Sequence, residues 1–350
     1  MTISIGNRKL GKGSPVLIVA EISANHDGDL QQALNLVRQA KAAGADAIKL
    51  QTYTADTITL KCEKPDFKIP KTSPWASYKT LWDLYNVAYT PWEWHAQIFE
   101  EANNNELLFF SSPFDHSAVD FLEGFDVCAY KVASPEINDV NLLKRIAKTK
   151  KPVIVSTGIA RKEDIDLAVS VLQSEGVEII LLKCTTAYPT PIEEMGLLSI
   201  PMMRDDYALD VGLSDHSLGF VAPVVATTLG AVLIEKHIKP DHNSDSVDGN
   251  FSLASNEFRL MCEGVREAEA ALGLPSYDLP QSVMDNYSGG RSLYVAKNIK
   301  KGEILTNKNI RSVRPGFGLH TKYFDDIIGN KANKDLSLGD RLDWSCIDKS

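Results

Sequence analysis

The segment "VLIEKHIKPD" (residues 232–241) places an apolar run directly before charged and imidazole side chains. Its first residues are typical of a strand that is buried on both faces. Successive side chains of a strand point to opposite faces, so Glu235 and His237 share one face and Lys236 lies on the other. Functional side chains at the carboxyl end of a buried strand are typical of parallel α/β folds.

Seven further apolar runs precede this one, and most are followed by a segment with helical periodicity. Alternating strands and helices predict right-handed βαβ units and a parallel sheet. Eight strands within about 250 residues favour a closed (β/α)8 TIM barrel over an open doubly wound sheet. The predicted strands span residues 16–22, 46–52, 107–112, 127–134, 152–158, 178–185, 209–216 and 231–237.

Two regions depart from this repeat. Residues 52–90 are too long for an ordinary βα loop and predict an insertion near the mouth of the barrel. Residues 273–290 are rich in Pro, Ser and Gly, which is typical of a linker, and short β-prone runs follow. We therefore predict a TIM-barrel catalytic domain in residues 1–275, a linker in residues 276–290 and a small β-rich domain in residues 291–350.

The composition excludes several classes of protein. The 350 residues are 44% hydrophobic and 24% charged, as in ordinary globular proteins, and the net charge of -9 argues against non-specific nucleic-acid binding. No apolar run approaches the roughly 20 residues of a membrane span. We therefore expect a cytoplasmic protein with neither a nucleic-acid nor a membrane partner. The five cysteines include no C-x-x-C pair, which indicates reduced core residues.

Polar residues at the carboxyl ends of the strands predict a catalytic rim, because residues two apart on a strand share one face. The residues expected at this rim are Glu21 with Ser23, Lys49 with Gln51, Phe110 with Ser112, Lys183 with Thr185, Ser214 with His216, and Glu235 with His237, together with Lys131 and Ser156 at the ends of two further strands.

His216 and His237 end neighbouring strands, so their imidazoles should converge. Two histidines flanked by Glu235 and Asp248 suit a borderline divalent cation such as Mn²⁺ better than Ca²⁺, with Mg²⁺ or Co²⁺ as alternatives. A single histidine at a strand end is more often a hydrogen-bonded core residue. The convergent pair nevertheless favours a metal site.

Lys49, Lys131 and Lys183 are expected at the same mouth. Three ammonium groups repel one another unless an anion holds them, which predicts a ligand with more than one negative charge, such as a phosphate plus a carboxylate. The alternative is that each lysine pairs with a core acid such as Glu21 or Glu136. The hydroxyl donors expected around the anion are Ser112, Ser134, Ser156 and Ser214.

Three residues outside the strands keep two interpretations each. Tyr188, in "CTTAYPTP" (residues 184–191), belongs to a lid or to a simple turn. His26 binds substrate or makes structural hydrogen bonds. Arg314, in "RPGFG", is a surface arginine unless the small domain docks at a barrel mouth.

Beyond these single residues, ten stretches in chain order resemble the nonulosonic (sialic) acid synthase family. The last of them, in the tail, resembles the antifreeze-like (SAF) domain of that family. The stretches cover almost the whole chain and read "AEISANHDGDLQQAL", "GADAIKLQTYTADTITL", "YTPWEWH", "FFSSPFD", "YKVAS", "VSTG", "LLKCTTAYPTP", "GLSDHSLG", "IEKH" and "GRSLYVAKNIKKGE".

The resemblance implies a condensation of phosphoenolpyruvate with an open-chain N-acetylated amino sugar, in which phosphate leaves by C–O cleavage. His216 and His237 would hold the metal that polarises the aldehyde, and Glu21 and Glu235, with Glu136 as a further candidate, would act as acid and base. The implied phosphoenolpyruvate ligands are Lys49, Ser112, Lys131, Ser134, Ser156, Lys183 and Ser214. The implied sugar ligands are Gln51, Glu136, Tyr188, Asp248, Phe251 and Arg314.

In this family the SAF domain crosses to the partner subunit of a domain-swapped homodimer, where Arg314 would reach the sugar's N-acetyl group. The stretches "SANH", "KLQTYT", "YTPWEWH" and "VDGNFSL" resemble the pseudaminic acid synthase branch most, which implies 2,4-diacetamido-2,4,6-trideoxy-altrose as the sugar. Its C6 methyl should favour an apolar pocket, with Phe251 contributing. Asp27, where the family usually has Asn, and Asn250 depart from the pattern.

Several alternatives stay open at this stage. An N-acetylneuraminate or legionaminate synthase would use the same residues on another sugar. A metal-dependent aldolase or hydrolase is compatible with the same barrel, because fold alone does not fix chemistry. A non-catalytic carbohydrate-binding protein would not need a metal and an acid/base set.

Overall fold

The computed structural model describes residues 3–348, which divide into two compact units. The first unit ends at Gly273 and the second begins at Leu274. Each unit has a hydrophobic core of its own. In the described part of the chain, no helix is both long enough and apolar enough to cross a bilayer.

The first unit opens with a hairpin, β1 (Ile3–Ile5) and β2 (Arg8–Leu10), and continues as a closed barrel of eight parallel strands. The last barrel strand pairs with the first from Leu233↔Leu17 to His237↔Glu21, which closes the sheet. The predicted (β/α)8 barrel is therefore confirmed. The strands are β3 (Leu17–Glu21), β4 (Ala47–Thr52), β5 (Leu108–Pro113), β6 (Tyr130–Val132), β7 (Val153–Ser156), β8 (Ile179–Cys184), β9 (Asp210–Asp215) and β10 (Leu233–Lys239), with a two-residue strand β11 (Leu253–Ala254) beside β10.

Ten helices belong to the described part of this unit. The first shows how local sequence sets helix limits: the Asp29 side chain caps its amino end, and Gly44 ends it in the left-handed conformation at φ 97°. The helices are α1 (Leu30–Ala43), α2 (Ala55–Ile58), α3 (Leu81–Ala88), α4 (His95–Asn104), α5 (His116–Glu123), α6 (Val140–Ala147), α7 (Lys162–Ser174), α8 (Ser199–Tyr207), α9 (Val221–Thr228) and α10 (Ser255–Leu272). Short 3-10 turns cover Pro65–Phe67, Trp92–Trp94, Ser134–Glu136 and Ile192–Glu194.

The barrel strands are apolar on both faces below the mouth. One buried cluster fills the barrel interior, where Leu17, Val19 and Leu233 pack with the β1–β2 hairpin. A larger cluster lies between the strands and the helices. Because faces alternate along a strand, Glu21 continues the inward row of Leu17 and Val19, and Glu235 and His237 continue that of Leu233.

The second unit begins with exposed chain and ends in a small β-rich fold. Its core contains Leu293, Ile310 and Leu342 among other apolar side chains. The elements are α11 (Met284–Tyr287), an antiparallel sheet of β12 (Ser292–Val295), β13 (Ile310–Val313) and β14 (Leu319–His320), α12 (Phe324–Ile327), and a pair of β15 (Lys331–Ala332) and β16 (Ile347–Asp348), with 3-10 turns at Gln281–Val283, Thr321–Tyr323 and Trp344–Cys346.

Candidate active site

A cavity of about 490 Å³ lies at the carboxyl ends of the barrel strands, where the sequence predicts the functional rim. Inward side chains of β4, β6, β7, β9 and β10 reach it, and the segment between β4 and α4 contributes the other part of its lining. The predicted residues that line the cavity are Lys49, Gln51, Lys131, Ser134, Glu136, Ser156, Tyr188, Ser214, His216, Glu235, His237, Asp248 and Phe251.

Two buried lysines, Lys49 and Lys131, and the buried Glu235 form the charged floor of this cavity. Glu235 Oε1 lies 3.7 Å from Lys49 Nζ and 3.8 Å from Lys131 Nζ, so one carboxylate faces both ammonium groups. Burial alone would raise the pKa of Glu235, but Lys131 and Lys49 together hold it below its usual range. Burial lowers the pKa of Lys131, and an anion bound beside it would favour the charged ammonium form.

Glu21 lies behind Lys49 and is not among the residues that line the cavity, and its role as an acid or base stays a prediction. Its Oε2 contacts Lys49 Nζ, and its Oε1 accepts a hydrogen bond of 2.8 Å from the Ser23 amide. Burial, opposed by Lys49 and aided by Glu235, raises the pKa of Glu21 to about 7. Glu21 therefore fixes Lys49 in position.

Three of the four predicted serines line the cavity, and Ser112 does not. Ser156 Oγ is buried without a hydrogen-bond partner, which leaves a free donor in the cavity. Ser134 Oγ accepts from the Gly158 amide at 2.9 Å, and Ser214 Oγ donates to Glu235 Oε1 at 3.2 Å. Ser112 is not a lining residue; its Oγ lies 3.4 Å from Lys49 Nζ.

Lys183 does not line the cavity, and its predicted inward position is wrong. The inward residues of β8 are Ile180 and Leu182, whose side chains belong to the barrel interior. By alternation Lys183 lies on the outer face, where its Nζ donates to the Cys184 carbonyl at 2.8 Å and to Thr185 Oγ1 at 3.1 Å. Two of the three predicted lysines, Lys49 and Lys131, therefore line the cavity, and Cys184 takes the inward place at the end of β8.

The two histidines converge as predicted, with ring centroids 5.4 Å apart. His216 Nδ1 donates to the Thr185 carbonyl at 3.3 Å, which leaves Nε2 with its lone pair. Burial, followed by the charge of His216, lowers the pKa of His237 well below its usual range, and His237 Nδ1 is buried without a partner. Two imidazoles with an unused nitrogen each fit a divalent cation.

The protein would supply few ligands to such a cation. Among residues 3–348, no group of three or more His, Cys, Asp and Glu side chains is arranged around a common metal position. The Cys184 thiol and the Thr185 carbonyl outweigh burial and raise the pKa of His216, so a cation would compete with a proton there. Water and substrate oxygens would complete the coordination.

Ser23 joins two of the predicted sugar ligands and was not itself predicted as one. Gln51 Nε2 donates to Ser23 Oγ at 2.9 Å, and Ser23 Oγ donates to Asp248 Oδ2 at 2.5 Å. All three side chains line the cavity. The inward position of Ser23, two residues after Glu21, was the signal available in the sequence.

Aromatic rings form one side of the cavity above the histidines. Tyr188 lies 4.7 Å from His216 and 4.8 Å from Phe251, and Phe251 lies 4.9 Å from His237, measured between ring centroids. Trp75 lies 5.3 Å from Tyr188, and its Nε1 donates to the Val247 carbonyl at 2.8 Å. Trp75 was missed because it lies in the insertion, far from any strand end.

Three other predicted residues have distinct environments. Glu136 lines the cavity with its Oε2 buried and unpartnered, and burial raises the pKa of this carboxyl to about 7. His26 is buried against the Trp94 ring, and its Nδ1 accepts a hydrogen bond from the Gly28 amide. These contacts agree with the second interpretation of His26, a residue with structural hydrogen bonds. Arg314 is an exposed residue of the second unit, and its contact with a sugar stays a prediction.

Lys236 lies on the outer face of β10, as alternation predicts. Its Nζ contacts Asp215 Oδ2 at 2.6 Å and the Ser217 carbonyl, and both charged side chains are fully buried. Asp215 precedes His216 and Lys236 precedes His237. The ion pair thus joins the two strands that carry the histidines.

Comparison with known proteins agrees with this geometry. Residues 36–277 match the NeuB family, and residues 290–348 match the SAF domain. The chain is 50% identical over 341 residues to a pseudaminic acid synthase of Campylobacter jejuni, covering 97% of this chain and 98% of that protein. An N,N'-diacetyllegionaminic acid synthase of the same species is 34% identical, with 91% of this chain and 96% of that protein covered.

A solved structure supports the same assignment. The crystal structure of the Bacillus subtilis spore coat polysaccharide biosynthesis protein SpsE superposes with a TM-score of 0.68 at 32% identity, and the match covers 100% of both chains. The two identified regions correspond to the barrel and to the β-rich unit. The chain therefore belongs to the NeuB family, the nonulosonic (sialic) acid synthases, and carries a SAF domain.

Proposed function

We propose that this protein condenses phosphoenolpyruvate with 2,4-diacetamido-2,4,6-trideoxy-altrose, the reaction of a pseudaminic acid synthase. The observation that carries the proposal is the 50% identity to the C. jejuni pseudaminic acid synthase over nearly the whole of both chains. The legionaminic acid synthase of the same species is 34% identical. An enzyme of the legionaminate or N-acetylneuraminate type is the alternative.

The charged floor suits phosphoenolpyruvate, which carries a phosphate and a carboxylate. Lys49 and Lys131 would hold these groups, and Ser156 Oγ supplies an unused donor beside them. The two lysines already face Glu235, so the anion would exchange one set of charge partners for another. Both ammonium groups would therefore face an anionic group with and without phosphoenolpyruvate.

The chemistry needs a carbon nucleophile, an aldehyde and a water molecule. C3 of the enol attacks the aldehyde carbon of the open-chain sugar, water adds at C2, and the C2–O bond to phosphate breaks, so the products are a nonulosonic acid and phosphate. Glu235 lies at the cavity floor, where it would take a proton from the water. A Mn²⁺ ion on His216 and His237 would polarise the aldehyde oxygen.

The sugar would lie between the Ser23–Gln51–Asp248 network and the aromatic side chains. Asp248 and Gln51 offer hydrogen-bond partners for its hydroxyl and acetamido groups. Glu136 is protonated below about pH 7 because burial raises its pKa to that value. Its neutral carboxyl would therefore donate a hydrogen bond to the sugar or a proton to the new alkoxide.

The SAF domain would complete the site from a partner subunit in a domain-swapped homodimer, with Arg314 at the N-acetyl group. Coexpression of His237→Ala and Arg314→Ala chains tests this. Swapping pairs an intact barrel with an intact SAF domain in the mixed dimer and restores activity, whereas unswapped chains stay inactive.

The five free cysteines support a reducing, cytoplasmic location.

The reaction is tested by offering phosphoenolpyruvate with three aldoses in parallel: the diacetamido-altrose, the legionaminic acid precursor and N-acetylmannosamine. Mass spectrometry of the products and phosphate release should give the highest kcat/KM with the diacetamido-altrose. Preference for either of the other sugars would assign the corresponding alternative. Carbon–carbon bond formation without phosphoenolpyruvate would instead indicate an aldolase.

A further inference from the structure

The segment between β4 and α4 contributes a group of apolar side chains to the cavity. It runs from Tyr53 to Trp94 and contains α2 and α3, whereas most βα loops have only 2–6 residues. Five of the aliphatic residues that it sends to the cavity are here called the insertion wall: Ile58, Ile69, Leu81, Leu84 and Ala88.

The insertion wall is held against the barrel by contacts of its own. Leu84 and Ala88 form a buried cluster with Ala24, and Val247 packs against the same cluster. The hydrogen bond from Trp75 Nε1 to the Val247 carbonyl ties the insertion to the loop after β10. None of these contacts involves the lysines or the histidines, so the wall can change without altering the charged floor.

Aliphatic side chains discriminate between sugars because they provide no hydrogen-bond partner for a hydroxyl group. A hydroxyl placed against Ile58 or Leu81 leaves water without gaining a hydrogen bond, whereas a methyl group there gains apolar contact. The charged groups come from the strand ends and from the segments that follow them, whereas the insertion sends no charged side chain to the cavity; its hydroxyl-bearing lining residues are Tyr53, Ser73 and Tyr85. The cavity therefore has an aliphatic surface, the insertion wall, that is distinct from the surface carrying the charged groups.

We propose that the insertion wall is the specificity-determining surface that accepts the C6 methyl group of the sugar and disfavours a C6 hydroxyl. This inference rests on the proposed function and deepens it, because it assigns to named residues the choice of a 6-deoxy substrate. A single methyl or hydroxyl difference in an apolar pocket typically changes kcat/KM by roughly 10- to 200-fold.

The test compares 2,4-diacetamido-2,4,6-trideoxy-altrose with its C6-hydroxylated counterpart, using the full-length enzyme with Mn²⁺. The substitutions are Ile58→Thr, which replaces the ethyl branch with a hydroxyl group, and Leu81→Asn at the half-buried start of α3. Leu60→Asn is the matched control, because Leu60 belongs to the same insertion but is 63% exposed and does not line the cavity.

The wild-type and Leu60→Asn enzymes should prefer the 6-deoxy sugar by at least about tenfold in kcat/KM. Ile58→Thr and Leu81→Asn should lower that ratio several-fold, by changes in the KM for sugar, while the KM for phosphoenolpyruvate stays the same. An unchanged ratio in both folded variants would overturn the inference. If no aldose releases phosphate with the wild-type enzyme, the proposed function itself fails, which is a separate outcome.

Discussion

The largely buried carboxyl of Glu136 makes the stability of this enzyme depend on pH in a predictable direction. Glu136 belongs to the 3-10 turn Ser134–Glu136 after β6, and its Oε2 is shielded from solvent without a hydrogen bond. Burial disfavours the ionised form and raises the pKa of this carboxyl from 4.5 to about 7. Glu136→Gln keeps the shape of the side chain and removes the ionisation.

The size and sign of this pH dependence follow from the linkage between proton binding and folding. Below pH 4.5, Glu136 is protonated in both states. Between pH 4.5 and 7 the unfolded state has released the proton while the folded state retains it, so the free energy of unfolding falls as pH rises. A pKa raised from 4.5 to about 7 corresponds to a loss of at most about 3 kcal/mol, complete above pH 7.

Equilibrium urea unfolding at pH 4.5 and pH 8, without substrates, measures this effect in the wild-type and Glu136→Gln proteins. The variant should gain stability relative to the wild type as pH rises, by up to about 3 kcal/mol. Glu193→Gln, which changes an exposed carboxyl in the turn Ile192–Glu194, controls for the loss of a surface charge. A difference between wild type and Glu136→Gln that is the same at both pH values would refute the reasoning.

Four further predictions concern the site and its support. Asp215→Ala leaves the buried Lys236 without a carboxylate partner and should lower the free energy of unfolding by about 3–5 kcal/mol; a loss under about 1 kcal/mol in urea titrations would contradict this. Lys131→Met should weaken phosphoenolpyruvate binding by roughly 10- to 100-fold in calorimetry, as expected for one charge-assisted hydrogen bond, and an unchanged Kd would exclude the contact. EDTA should abolish condensation and Mn²⁺ restore it, but not in His237→Ala; full activity after chelation removes the metal role. Deletion of residues 291–350 should strongly reduce turnover of the sugar, and a truncated enzyme of full activity would argue against a role for Arg314.

The inward rows of the barrel could be predicted where a strand end carries a clear polar pattern. Glu235, His237 and Lys236 were assigned to the correct faces because the change from apolar to polar residues falls within one strand. Successive side chains of a strand point to opposite faces, which then fixes the face of each residue. The same argument located Lys49, Lys131 and Ser156. These assignments need only local backbone geometry.

Lys183 shows where that argument fails. In β8 the residues Ile179, Ile180, Leu181 and Leu182 are all apolar, since the strand is buried on both faces, so the pattern does not distinguish inner from outer positions. The facing of Lys183 is set by the register with the neighbouring strands. A polar residue at a strand end was therefore assigned to the wrong side.

The sequence by itself determined the barrel, the order of its strands, the family and most of the polar side chains at its mouth, because these follow from periodicity and from motifs that are contiguous in the chain. The tertiary structure alone decided that Glu21 lies behind Lys49 and that the segment carrying Trp75 reaches the aromatic rings. It also decided that Ser23 bridges Gln51 and Asp248. Such contacts join residues far apart in the chain, and they depend on how strands close and how an insertion folds back, which no local pattern encodes.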